Sequence, residues 1–457
     1  MTLLVPAIVL AAAAVVALVV LVSAVKSARA CGDLDASTVL TLGMAGLTSV
    51  PLVAVAVTGS LTRRLDVFRE LIAIRPSWYE PALLLAMLLV WALAVGLVFR
   101  QVTAGAARLH AAGLLVLLVW AVAHLSSGLH NGPVVTPRGG VLLACLLAAT
   151  VLPRGRGAAV GVAIFGVGLA VASGILPLFR YDVAFVPCRE QCTPLGASLE
   201  GVLPNENLLG LTLVATMPFA YLGFRGAARS WLTLYLAAMA VATTSRTASL
   251  AAVVTVTALL VVRPRLDAAR IPLARRSLAW VVLVVALAAS VYVVRNQDVT
   301  NLNQRPALWQ VASSYVRESP WLGYGPERWA TLYESSEIPR AAQRSAHNQW
   351  LDVLFVAGAV GLVLLVVALL AMVWSAGAAR PGIVLGIATI VMLGATEGAW
   401  AVATLDFLSF SLVALILTGP VTDRAPAVTA GRAAPATSAS PVRARVGPRS
   451  ALAGTGR

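Results

Sequence analysis

Histidine is scarce in this chain. Of its four histidines, His347 lies where a long polar stretch gives way to an apolar one, in the run His347-Asn348-Gln349-Trp350-Leu351. A neutral imidazole accepts a proton near pH 7, so His347 is a candidate general base. A lone histidine can equally serve structure, and position does not separate the two roles. Arg305 precedes it in the same polar stretch, in Asn303-Gln304-Arg305-Pro306-Ala307-Leu308-Trp309. A guanidinium offers a planar fork of donors that fits phosphate oxygens in pairs and never loses its charge. Arg246 sits between two short apolar runs, in Thr243-Thr244-Ser245-Arg246-Thr247. An arginine facing lipid costs about 2.5–3.5 kcal/mol at a helix centre, so it either snorkels to the interface or faces a cavity. The hydroxyl-bearing neighbours indicate a polar pocket. Two such arginines meeting at one membrane surface would make a pyrophosphate clamp. Arg317, Arg328, Arg340 and Arg344 are weaker candidates of the same kind.

Other polar groups cluster at the ends of apolar runs. Pro204-Asn205-Glu206-Asn207-Leu208-Leu209-Gly210 opens one of them. Two readings are open: a helix start, with Asn205 as cap and Glu206 favoured by the helix dipole, or a polar wall binding a sugar acceptor through Asn205, Glu206 and Asn207. Asn348, Arg328 and Arg344 are further substrate-binding candidates. Glu397 and Asp406 lie near the ends of the last two apolar runs, and either could pair with a loop arginine.

The elements that must position these groups follow from composition. A hydrophobic fraction of 59% with 12% charged residues lies far outside the soluble range. Apolar segments of about 17–25 residues recur, each long enough to cross a bilayer as a helix. Continuous apolar runs exclude a β-barrel, whose strands alternate. The fold class is therefore all-α, a polytopic transmembrane helix bundle of about 12–13 spans. The expected spans fall near 3–25, 38–59, 81–99, 111–129, 139–153, 157–178, 205–224, 230–244, 246–262, 278–294, 347–373, 382–397 and 402–419. Residues 1–420 form the transmembrane domain, with one long loop, 295–346, held in order by Trp309, Tyr315, Trp321, Tyr324, Trp329 and Tyr333. That loop carries six arginines and five acids; loops of this length are usually functional or disordered.

Arginine placement sets the orientation. The loop 263–277 holds five arginines and is read as cytoplasmic, which puts loops 179–204 and 295–346 outside and the C-terminus inside. Residues 60–80 disagree: Arg63, Arg64, Arg69 and Arg75 come out external, so either a span is miscounted or the segment is interfacial. The net charge of +15 needs no nucleic-acid partner, since the arginines sit in short loops and in the tail. The first apolar run is too long, and lacks the basic flank, for a signal peptide. Residues 421–457, rich in Ala, Pro, Thr and Arg, read as a disordered basic cytoplasmic tail; Arg443, Arg445 and Arg449 are either inert or touch anionic lipid. Cys188 and Cys192 share an external loop, where a disulfide is possible but not decided. No Cys/His spacing indicates a metal.

Four segments in order, Pro204–Gly210, Thr244–Ala248, Arg305–Trp309 and His347–Leu351 with Gly358-x-x-Gly361, resemble the bacterial O-antigen ligase and polymerase superfamily, as does the Pro320 and Gly323-x-Gly325 turn. The likeness covers roughly residues 200–365. It implies a glycosyltransferase-C-like membrane enzyme in the cytoplasmic membrane, active on its external face. Such an enzyme joins a glycan from an undecaprenyl-pyrophosphate-linked oligosaccharide donor to an acceptor hydroxyl, on a glycan or another envelope acceptor, with inversion and with no metal or other cofactor. By that resemblance Arg246 and Arg305 hold the pyrophosphate, and His347 engages or deprotonates the acceptor. The partners are the donor, the acceptor and the lipid bilayer, with no nucleic acid. The alternative is a transporter or flippase of a lipid-linked glycan that makes no bond. It predicts inverted repeats and a midplane polar site, and the sequence displays no repeat.

Overall fold

A computed structural model describes residues 4–47, 49–58, 62–64, 71–73, 75–186, 196–266, 271–295, 305–335, 337 and 345–420. Cys188, Cys192, Arg340, Arg344 and the tail from residue 421 lie outside these residues, and with them the disulfide question and the reading of the tail. In chain order the helices are α1 (Leu4–Ala30), α2 (Ala36–Gly46), α3 (Ser49–Thr58), α4 (Tyr79–Thr103), α5 (Ala111–Leu129), α6 (Pro137–Val151), α7 (Gly157–Ile175), α8 (Tyr181–Ala184), α9 (Glu206–Gly223), α10 (Gly226–Ala242), α11 (Arg246–Val262), α12 (Leu273–Arg295), α13 (Arg305–Glu318), α14 (Arg328–Glu334), α15 (Gln349–Ser375), α16 (Arg380–Gly394) and α17 (Ser409–Leu417). The strands are two short antiparallel pairs: Thr62–Arg64 with Leu71–Ala73, and Phe185–Val186 with Ser198–Leu199. The first pair falls in the segment whose charge disagreed with the orientation.

Seven helical segments among the described residues are long and apolar enough to cross a membrane: Leu4–Ala30, Tyr79–Thr103, Ala111–Leu129, Gly157–Leu178, Leu273–Arg295, Gln349–Ser375 and Gly377–Gly394. The other expected spans are shorter or interrupted helices or, in α9, a less apolar one. The run 38–59 divides into α2 and α3, and 402–419 contains only the nine residues of α17, about 14 Å of helix. These shorter pieces need not match a bilayer because protein surrounds them. Every residue of α17 is buried. So is α9 from Leu209 to Gly223, and it packs against α7, α10, α11 and α16. The apolar side chains left outside, such as Leu84, Leu85, Leu88 and Leu89 of α4, form a lipid-facing surface.

The loop between α12 and α15 is built into the bundle. α13 and α14 bury Leu308, Trp309, Ala312, Trp329 and Leu332 against Leu351 and Phe355 of α15. α15 is broken at Gly358, which adopts φ 64°, ψ −167°. Backbone polar groups freed at membrane depth must find partners within the protein, and residues 320–325 supply them. Ala359 N–H donates to Pro320 O at 2.8 Å, Val360 N–H to Trp321 O at 3.1 Å, Tyr324 N–H to Phe355 O at 2.7 Å and Gly325 N–H to Val356 O at 2.9 Å. A Cβ on Gly358 would stand 2.2 Å from Trp321 O, so no other residue fits there. The Gly-x-Gly turn and the Gly-x-x-Gly run are thus two halves of one interlock.

Candidate active site

Four helices begin around one carboxylate. Asn205 caps α9, its Oδ1 accepting from Leu208 N–H at 2.7 Å. Ser245 caps α11, its Oγ accepting from Ala248 N–H at 3.3 Å. Asn348 caps α15, accepting from Trp350 and Leu351 N–H at 3.1 Å each. Arg305 is the first residue of α13. Helix N-termini carry partial positive charge, so this convergence favours an anion. The anion the protein itself supplies is Glu397, 5% exposed, in the non-helical segment between α16 and α17.

Glu397 gathers three of the residues singled out in the sequence. Its Oε1 accepts from Arg305 Nη2 and, at 2.8 Å, from Asn207 Nδ2; its Oε2 lies 2.8 Å from His347 Nδ1. Ser245 Oγ donates to Asn207 Oδ1 at 2.6 Å, which ties the start of α11 into the same network. Thr247 and Thr396 hydroxyls meet at 2.8 Å beside it. Burial disfavours a charged Glu397, but the His347 hydrogen bond, the Arg305 charge and the Asn207 amide outweigh it and hold the carboxyl below the usual glutamate range. An ionised Glu397 accepts a proton-bearing Nδ1, which leaves Nε2 of a neutral His347 as the acceptor nitrogen.

The backbone around the site is unusual. His347 and Thr244, each one residue before a helix cap, have φ of 50° and 58°. The left-handed region is uncommon for a non-glycine residue and is an outlier for a β-branched one. Such a conformation persists only where the surroundings enforce it. Here Ser345 Oγ accepts from His347 N–H at 3.1 Å, and Asp352 Oδ1 accepts from Ala346 N–H at 2.8 Å.

The remaining sequence candidates fall as follows. Arg246 is the first residue of α11, exposed, directly after the Ser245 cap. Asn205 is exposed and Glu206 half-buried in the first turn of α9. Asn348 is fully buried, with one end of its amide capping α15 and the other donating to Ala395 O at 2.9 Å. The Arg328 guanidinium stands over the rings of Tyr315 and Tyr324, 5.8 and 5.9 Å from their centroids. Arg344 lies outside the described residues. Glu397 entered the sequence reading only as one partner for a loop arginine; its place at the centre comes from the fold.

A search of curated proteins finds no match. A family model described as O-antigen ligase matches residues 231–366. That stretch contains Arg246, Arg305 and His347, while Asn207 and Glu397 lie on either side of it. Over that stretch the match supports the likeness to the O-antigen ligase and polymerase superfamily.

Proposed function

We propose that this protein is a membrane glycosyltransferase of the ligase/polymerase type, acting in cell-surface glycan biosynthesis on the external face of the cytoplasmic membrane. The observation that carries the reading is the meeting of Arg305 and His347, from opposite ends of one long loop, on the single carboxylate of Glu397. The donor is a glycan on undecaprenyl pyrophosphate and the acceptor a sugar or other envelope hydroxyl. Asn205, Glu206 and Asn207 line the acceptor side, and Arg328 and Arg344 are further substrate-binding residues.

The reaction exchanges one bond for another. The acceptor oxygen attacks the anomeric carbon as the bond from that carbon to the pyrophosphate oxygen breaks, with inversion. His347 Nε2 takes the acceptor proton, while Glu397 holds Nδ1–H and stabilises the imidazolium that forms. Undecaprenyl pyrophosphate departs as an anion. Arg305 and Arg246, with the start of α11, meet that developing charge where it is worth most. Of the five N–H donors on a guanidinium, Arg305 commits Nη2 to Glu397 among the described residues, so others on the fork remain for phosphate.

The test is transfer by purified protein from a defined undecaprenyl-pyrophosphate oligosaccharide, with EDTA present, read by gel and mass spectrometry. Wild type extends the glycan, and Arg305→Ala and His347→Ala, folded, lose about 10²–10³-fold in rate. A ladder identifies a polymerase and a single addition a ligase. If wild type consumes no donor but moves labelled donor across liposomes, the protein is a transporter and the assignment of roles fails.

A further inference from the structure

Glu397 stands just past the end of α16, where its own N–H makes the last helical bond, to Leu393 O at 3.1 Å, yet its carboxylate must meet His347 to within a few tenths of an ångström. The start of α15 fixes the segment on both sides of it. Asn348 Nδ2 donates to Ala395 O at 2.9 Å. Gln349, 3% exposed, clasps the backbone of Trp400 with both ends of its amide: Nε2 donates to Trp400 O at 2.9 Å and Oε1 accepts from Trp400 N–H at 2.5 Å. The two anchored residues bracket Glu397. Close approach is allowed by glycines on both sides: a Cβ on Gly394 would stand 2.8 Å from Gln349 Cβ, and one on Gly398 would stand 2.7 Å from Asp352 Oδ2. Trp400 is in turn held by its indole N–H on Ser411 Oγ at 2.8 Å. The residues that immediately follow His347 therefore grip the segment that presents its carboxylate partner.

We propose that Asn348 and Gln349 are positioning residues, which keep Glu397 on His347 Nδ1 and thereby fix the imidazole tautomer. Neither contacts substrate: both amides are buried and turned onto backbone. This inference rests on the proposed glycosyl transfer for its kinetic consequence but not for its structural one.

Two variants separate the clasp from the helix cap. Asn348→Asp keeps the capping oxygen and loses the donor to Ala395 O. Gln349→Leu keeps the volume and loses both bonds to Trp400. In the transfer assay each lowers kcat by about tenfold or more and leaves the donor KM within about twofold. In a Glu397→Gln background each costs almost nothing further, because partners acting through one group are not additive. Losses that multiply in that background, or variants with wild-type kcat, overturn the proposal. NMR of histidine-labelled protein in detergent reads the structural half directly, with the His347 signal assigned by its absence in His347→Ala. Wild type should show one tautomer protonated at Nδ1, and both variants a mixture. A mixture already in wild type, or no change in either variant, sinks the clasp. If wild type makes no glycosidic bond, the proposed function fails while this spectrum still decides the positioning role.

Discussion

The helix α9, about 27 Å long for its 18 residues, has a buried carboxylate at each end. Beside its first turn stands Glu397. Beyond its last turn stands Asp33, 8% exposed, which accepts from Arg225 Nε at 3.0 Å and Nη2 at 3.2 Å, with Arg156 Nε at 3.7 Å. Both are carboxylates met by arginine at the start of helices. They differ in what else they touch. The partners of Asp33 are permanent cations, and Arg156 also donates to Leu222 O at 3.1 Å, so this end is a staple joining α1, α7 and α10. Glu397 has one arginine, one amide and one imidazole, and its arginine and histidine side chains are 20% and 33% exposed. A carboxylate among fixed cations can only hold. One that shares a titratable ring facing solvent can also orient a proton acceptor.

The sharpest way to break that contrast is to neutralise each acid in turn. Glu397→Gln is expected to lower transfer per folded molecule by about 10²–10³-fold, the range for loss of a preorganised charge partner, and, since it also breaks a buried pair with Arg305, to lower the melting temperature. Asp33→Asn should lower stability alone. Removing one member of a buried ion pair costs about 3–5 kcal/mol, and the low end applies because Arg225 is 39% exposed and Arg156 keeps its bond to Leu222 O. Thermal unfolding in detergent should show the loss, while kcat per folded molecule holds. Equal activity losses in both variants would mean that the two ends of α9 are not functionally distinct.

Ser245→Ala probes the link between Arg246 and the Glu397 network, with a smaller effect. The hydroxyl both caps α11 and donates to Asn207 Oδ1. Loss of a cap costs about 1 kcal/mol, and release of Asn207 should lower kcat by about threefold to tenfold. Ser245→Asp retains a capping oxygen but offers Asn207 no donor, so it should recover stability without recovering rate. Recovery of both would reduce Ser245 to a helix cap alone.

How far the sequence revealed this site depends on the kind of contact. Arg305 and His347 were legible because chemistry-bearing residues in a long polar loop between apolar runs have few other places to go. The helix starts at Asn205 and Asn348 were legible from side chains that cap. Glu397 was harder: an apolar-run reading merges it with the end of 382–397, and nothing in hydropathy marks residues 395–408 as non-helical. The clue is an acid beside Gly398, with Asp406 soon after, where continuous helix would leave both in lipid. The interlock at Gly358 was visible as a motif but not as a mechanism, since a glycine pair does not say which backbone approaches it. Gln349 was illegible for the same reason; its partner is the main chain of Trp400. Buried helices such as α9 and the nine-residue α17 resemble spans because both are largely apolar, and only their neighbours distinguish protein from lipid.

The subtlest test of the contrast is pH. Glu397 is held below its ordinary value of 4.5: burial opposes its charge, and His347, Arg305 and Asn207 more than offset that. A carboxyl depressed in the folded state contributes stability that is complete above the unfolded value and is lost as pH falls through the folded one. The melting-temperature gap between wild type and Glu397→Gln should therefore not narrow from about pH 7 down to about 4.5, and should close only below that. A gap that closes between about pH 6 and 5 would mean that burial has won and that Glu397 is easily protonated. It could then not hold Nδ1–H of His347 by its charge, and the distinction between the two ends of α9 would lose its chemical basis.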